Sequence, residues 1–291
     1  MSVLDLLARR RLVVVTGKGG TGKSTLAAAL GRLLAGAGRK TLVVEVDPRE
    51  SLHQALGVEP SGGEVVQAGE GLWIQNVQAQ AVIEGLVREK VPVPFFARKI
   101  TESPAFRHFV AGAPGFKETA VLGHAYRATR GHRTPRVEVV VLDAPASGHG
   151  ASLLAAPALL ALAAEGGQLG EVAAELAAFL ADPAQCAIFL GTLAEEMPVQ
   201  ETLELLETLD SAGGPRVAMV CVNALFPPLP ADLLEAVRQD LWGERRRLQE
   251  RERARLRDRW EGPLAELPLL PLDRGPALTR DLATRLGEAR W

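Results

Sequence analysis

Apolar positions along this chain follow two alternating spacings. Short runs that are apolar almost throughout and rich in β-branched residues recur at Leu12 to Thr16, Thr41 to Val46, Leu72 to Val77, Val137 to Leu142, Cys186 to Thr192, Arg216 to Val222 and Leu264 to Leu270. Between them lie longer stretches with helical periodicity: Ser24 to Ala37, Leu153 to Ala164, Leu169 to Leu180, Pro198 to Ser211, Ala231 to Arg259 and Ala277 to Ala289. A strand without polar alternation is one covered on both faces, and strands that alternate with helices are the pattern of crossover units. The expected fold is α/β: a doubly wound, mainly parallel sheet with helices on both faces. Residues Ala79 to Arg133 interrupt the alternation with helix-like pieces separated by Pro92, Pro94, Pro104 and Pro114, so a helical insertion is expected there. With no internal duplication and no low-complexity linker, residues 1 to 291 are expected to form a single domain.

Composition narrows the classes of function. A formal net charge of −2 supplies no global field for nucleic acid or anionic lipid, so any such binding must come from a local patch. Two cysteines, Cys186 and Cys221, each isolated in a strand-like run, make neither a disulfide framework nor a zinc spacing, which fits a reducing cytoplasm. The first residues run from apolar to arginine-rich, the reverse of a secretory signal. The longest nearly uncharged stretch, Ala151 to Ala164, falls short of the roughly 20 residues that cross hydrocarbon. A cytoplasmic protein without a transmembrane segment is expected.

The chemistry begins at Gly17-Lys18-Gly19-Gly20-Thr21-Gly22-Lys23-Ser24-Thr25, which stands between an apolar strand and an Ala/Leu-rich helix. This is the G-x-x-x-x-G-K-[ST] phosphate loop in its required context. Glycines let successive backbone N–H groups turn toward phosphate oxygens, and the following helix adds its positive dipole end. Lys23 would reach the β- and γ-phosphates of ATP, and the Ser24 hydroxyl would ligate Mg2+. Two aspartates follow strands, at Asp47-Pro48-Arg49-Glu50-Ser51-Leu52 and at Asp143-Ala144-Pro145-Ala146-Ser147-Gly148-His149. Strand-terminal carboxylates are where such sheets hold ligands and, in P-loop enzymes, Mg2+. Asp47-Pro48 also suits a plain helix cap and turn. His149 is equally a packed histidine at a helix start and receives no catalytic role.

The doubled lysine, Gly17-Lys18-Gly19-Gly20 before Gly22-Lys23-Ser24, resembles the deviant Walker A class. With the two aspartate segments, Thr192-Leu193-Ala194-Glu195-Glu196 followed by Glu201-Thr202, Val222-Asn223, and Pro268-Leu269-Leu270-Pro271 running to Arg274-Gly275, the chain resembles the arsenical pump-driving ATPase family. That family includes the cytosolic ATPases that guide tail-anchored membrane proteins. The resemblance spans Leu12 to Leu286 and implies an Mg-dependent ATPase whose signature lysine, Lys18, reaches across a dimer to the partner's ATP, like an arginine finger in trans. It implies that Asp47 positions or activates the attacking water and that Asp143 supports Mg2+. It also implies that Asn223 and the loop Pro268 to Arg274 hold adenine, and that Glu195 lies by the nucleotide near the dimer interface. The chain departs from the family at Arg49, Glu50 and Gln54, and in a shuffled second switch.

The implied partners are a second copy or a paralogue, and a client or membrane-protein partner. Two cysteines cannot form the thiolate trio that soft As(III) requires, so arsenite activation is not expected. Ala79 to Phe116 with Ala151 to Leu180 would form a client groove, or else ordinary core helices, the reading the composition favours. Two other classes stay open: a positioning ATPase of the ParA or MinD kind, binding DNA or membrane, and a non-hydrolysing regulatory switch. For DNA the candidate is the arginine-rich Glu244 to Arg259, though its interspersed acids favour a solvated helix, and no specific nucleic acid is expected.

Overall fold

A computed structural model describes residues 1–46, 50–91, 93–132, 134–144, 150–211, 214–227 and 241–291. The strands are β1 (Leu12–Gly17), β2 (Thr41–Glu45), β3 (Val66–Gly69), β4 (Leu72–Asn76), β5 (Val139–Asp143), β6 (Cys186–Leu193), β7 (Val217–Leu225) and β8 (Leu264–Pro268). They form one sheet in the order β3-β4-β2-β5-β1-β6-β7-β8. Every pairing is parallel except β3 with β4, which is antiparallel. The sheet is the doubly wound, mainly parallel one expected, and its seven parallel strands begin within two residues of the apolar runs. The edge strand β3 escaped notice because it is short, with two exposed residues and a glycine end.

The helices are α1 (Val3–Leu7), α2 (Lys23–Gly36), α3 (Leu52–Leu56), α4 (Ala79–Lys90), α5 (Pro94–Thr101), α6 (Pro104–Gly112), α7 (Phe116–Thr129), α8 (Gly150–Ala163), α9 (Gln168–Ala181), α10 (Glu196–Ser211), α11 (Leu241–Arg259) and α12 (Pro276–Glu288). The first part of the helix expected from Ala231 lies outside the described residues. Alternate side chains of β1 enter two different cores. Leu12 and Val14 pack with Leu122, Leu153, Leu176, Leu203 and Leu256, from α7 to α11. Val13 and Val15 pack with Leu7, Leu30, Leu34, Leu282 and Leu286, from α1, α2 and α12. Burial on both faces is why these strands read as unbroken apolar runs.

Helices α4 to α7 occupy residues 79–129, and among them Ile83, Val110 and Ala120 form a small core of their own. Helices α8 and α9 contribute Leu153, Leu154, Leu176 and Leu180 to the main core, as ordinary core helices would, yet part of their surface and of the insertion stays uncovered. Phe95, Phe96, Ile100 and Phe109 are exposed, as are Leu159, Leu162, Leu169 and Val172 of α8 and α9. These helices carry more apolar surface than their contacts bury. No helix among the described residues is long and apolar enough to cross a membrane.

Candidate active site

The carboxyl ends of the central strands assemble the site. Pairing places Asp143 opposite both Val15 and Glu45, Gly17 opposite Gly191, Asn76 opposite Glu45, and Asn223 opposite Leu193. Strand β1 lies between β5 and β6, and chain order turns from one side of the sheet to the other there, the kind of switch point where open α/β sheets bind ligands.

The phosphate loop leaves β1 and enters α2 through two positions that tolerate only glycine. Gly17 has φ +136°, and a Cβ there would lie 2.2 Å from the Gly191 carbonyl oxygen. Gly22, with φ +87°, caps α2, and a Cβ would lie 2.3 Å from Nδ2 of Asn223. The Lys18 carbonyl accepts from the Thr21 hydroxyl and from Lys23 Nζ, each at 2.9 Å, so the loop folds over its own lysine. Lys23 is buried, as is Asp143 at the end of β5. Ser24 is half-buried in the first turn of α2, while Gly19 and Gly20 are exposed.

Lys18 takes the opposite course. Its ammonium does not enter its own loop but pairs with Glu201 Oε1 of α10 at 2.5 Å, both side chains being a little over one-third exposed. Gly17, Lys18, Gly150, Ser152 and Glu201 line a cavity of about 200 Å³ beside this pair.

Asn223 donates from Nδ2 to the Thr21 carbonyl at 3.0 Å, which ties the end of β7 to the phosphate loop. The segment after β8 joins the same edge, because Leu269 N–H donates to the Leu225 carbonyl at 2.7 Å. There Leu269, Pro271 and Arg274 are exposed, and Pro268 and Leu270 are half-buried. Glu195 is exposed in the bend between β6 and α10. The structure thus brings together residues 17 to 25, Asp143, Asn223 and the 268–271 segment. Asp47 and the second-switch residues Pro145 to His149 lie outside the described residues.

Sequence reasoning missed Glu45. It is 1% exposed, yet its carboxylate accepts from Ser51 N–H at 2.8 Å, from Leu52 N–H at 3.2 Å, from the Ser51 hydroxyl, and from Asn76 Nδ2 at 3.4 Å. It anchors the chain just past the Asp47 segment to the end of β2 and places negative charge at the start of α3. The signal was visible: a lone carboxylate ending an otherwise apolar strand. Glu50, where the family has histidine, sits at φ +48° and accepts from Ser61 N–H at 2.9 Å.

A glycine loop between a parallel strand and a helix, a buried lysine in its turn and a strand-terminal aspartate beside it define a P-loop ATPase. The model of the family described as anion-transporting ATPase matches residues 10–165, and the chain belongs to that family. It is 34% identical over 236 residues to the ATPase BagA of Mycobacterium tuberculosis, covering 78% of this chain and 69% of that protein. It is 29% identical over 158 residues to a putative arsenical pump-driving ATPase of Aquifex aeolicus, covering 52% of this chain and 39% of that one. To the ATPase GET3C of Arabidopsis thaliana it is 25% identical over 164 residues, covering 51% and 42%.

Proposed function

We propose that this ATPase is an Mg-dependent, nucleotide-driven switch that completes its active site by dimerising, with itself or a paralogue, and couples that cycle to a client or partner protein. One observation carries the reading: the two lysines of one loop are segregated. Lys23 is buried in the loop, where it would serve its own ATP, whereas Lys18 points out of it and rests on Glu201. A second lysine kept off its own phosphate cradle is suited to a neighbour's γ-phosphate, where a trans cation stabilises developing charge.

The hydroxyl of Ser24, in the first turn of α2, and the carboxylate of Asp143, at the end of the strand beside β1, are hard oxygen donors next to the phosphate loop. They fit Mg2+, which takes few protein oxygens and completes its shell with water and phosphates. Bound there, the ion would neutralise phosphate charge. Lys23 would orient the phosphates, Asp47 would position the attacking water, and Asn223 with the 268–274 loop would hold the base beside Glu195. Residues 1 to 291 work as one domain in this reading.

Support for an apolar client comes from Phe95, Phe96, Ile100 and Phe109 on the insertion and Leu159, Leu162 and Val172 on α8 and α9, all exposed. The DNA-positioning alternative is weaker because at least six of the eight α11 arginines are engaged in ion pairs within the chain. Arg253 and Arg257 pair with Glu266, Arg251 and Arg255 with Glu252, Arg246 with Glu250, and Arg259 with Glu207. Arsenite is a poor effector, since Cys186 and Cys221 are buried in strands.

The test is ATP hydrolysis per subunit against protein concentration. The rate is expected to rise with concentration in wild type and to be nearly lost in Lys18→Ala and Asp47→Asn, the latter still binding ATP. A rate independent of concentration and untouched by Lys18→Ala would remove the trans mechanism, and no hydrolysis at any concentration would leave a regulatory switch.

A further inference from the structure

Immediately after Asn223, β7 does something costly. Ala224 has φ +54°, a left-handed conformation that disfavours any side chain, and the pairing of β7 with β8 slips between Val222 and Leu225. Such a residue persists only where its surroundings over-determine it. Here they come from α11. Gln249 donates from Nε2 to the Ala224 carbonyl at 3.2 Å and accepts at Oε1 from Phe226 N–H at 2.9 Å, so one planar amide grips the chain on both sides of Leu225. The Leu225 carbonyl accepts from Leu269, and the Phe226 ring packs on Trp242 at 4.5 Å between centroids.

Resting on the reading of Asn223 as a base-holding residue, we propose that Gln249 is a positioning residue for nucleotide specificity, acting through the strained turn at Ala224. The amide of Asn223 can keep its bond to Thr21 and present its remaining groups to a purine edge only while residues 224 to 226 hold their course. Among the described residues, Gln249 supplies both a donor for the Ala224 carbonyl and an acceptor for Phe226 N–H from one side chain. A glutamate there would keep the acceptor but set a carboxylate against a carbonyl. The sequence gives no hint of this role, since a glutamine among arginines reads as part of a solvated helix face.

The experiment measures displacement of a fluorescent ATP analogue from the full chain by ATP and by GTP, alongside turnover at saturating ATP. Gln249→Ala is expected to weaken ATP about five- to tenfold, the effect of losing one or two neutral hydrogen bonds. It should also narrow the ATP/GTP ratio, because a base edge is discriminated by fixed polar partners, while saturated turnover stays near wild type. Gln249→Glu should do the same, which covers the case in which the alanine variant fails to fold. Adding Ala224→Gly should restore most of the affinity, because glycine adopts the left-handed turn without a clamp; a glutamine that only supports the fold would leave the ATP/GTP ratio unchanged in every variant. If both Gln249 variants keep wild-type ATP affinity and ATP/GTP ratio while Asn223→Ala loses them, the inference fails alone. If Asn223→Ala itself changes neither, the base reading beneath it fails as well.

Discussion

Breaking the Lys18–Glu201 pair by Glu201→Gln should make the ATP-bound dimer tighter. The pair is more than one-third exposed on both sides, so its worth is that of a surface ion pair, about 0.2–1 kcal/mol. If Lys18 must leave Glu201 to reach a neighbour, a symmetric dimer breaks two such pairs. Removing them in advance then favours association by about 0.4–2 kcal/mol, roughly 2- to 30-fold in the dissociation constant. Sedimentation velocity with a non-hydrolysable ATP analogue measures that constant, and the concentration for half-maximal hydrolysis should fall in parallel. The gap between variant and wild type should shrink at about 1 M salt, where screening has already loosened an exposed pair. Weaker association in Glu201→Gln would refute the reasoning, for it would mean that the carboxylate works across the interface rather than restraining Lys18 within its own subunit.

Other outcomes follow from the same geometry. Gly22→Ala places a methyl group against Asn223 in a left-handed turn and should cut ATP affinity more than tenfold by calorimetry; retained affinity would mean the loop is not held by Asn223. Glu45→Ala strands the donors of Ser51 and Leu52 and should cost about 3 kcal/mol in urea unfolding, a loss within about 0.5 kcal/mol contradicting the anchor role. Burial pushes the thiols of Cys186 and Cys221 up from about 9 to about 12. Because the folded-state values lie above the unfolded ones, the neutral thiols contribute stability that is fully present below about pH 9 and drains away as pH rises toward 12. At pH 8 neither should react with a disulfide reagent until the protein unfolds, and prompt modification of the native chain would show the strands to be open.

Strand positions, most helices and the phosphate loop were legible in the sequence because each depends on spacing within a few residues: a run buried on two faces, a helical period, a glycine turn before Lys23. Asp143 at the end of β5 could be placed for the same reason, since the chemistry of a parallel sheet gathers at its strand ends. What the linear order could not supply is which distant side chain each functional group meets. Lys18 finds Glu201 because β1 and β6 are neighbours and α10 follows β6. Gln249 grips the turn after Asn223 because α11 packs beside β7, and Glu45 becomes a buried anchor only because α3 folds back over the end of β2. Phe95, Phe96 and Phe109, which composition assigns to a core, stay exposed because the proline-broken insertion has too few partner surfaces to cover them. Local pattern determines the elements and the backbone cradle for phosphate; strand order and helix packing decide the partners, and with them that Lys23 is held within the loop while Lys18 turns to Glu201.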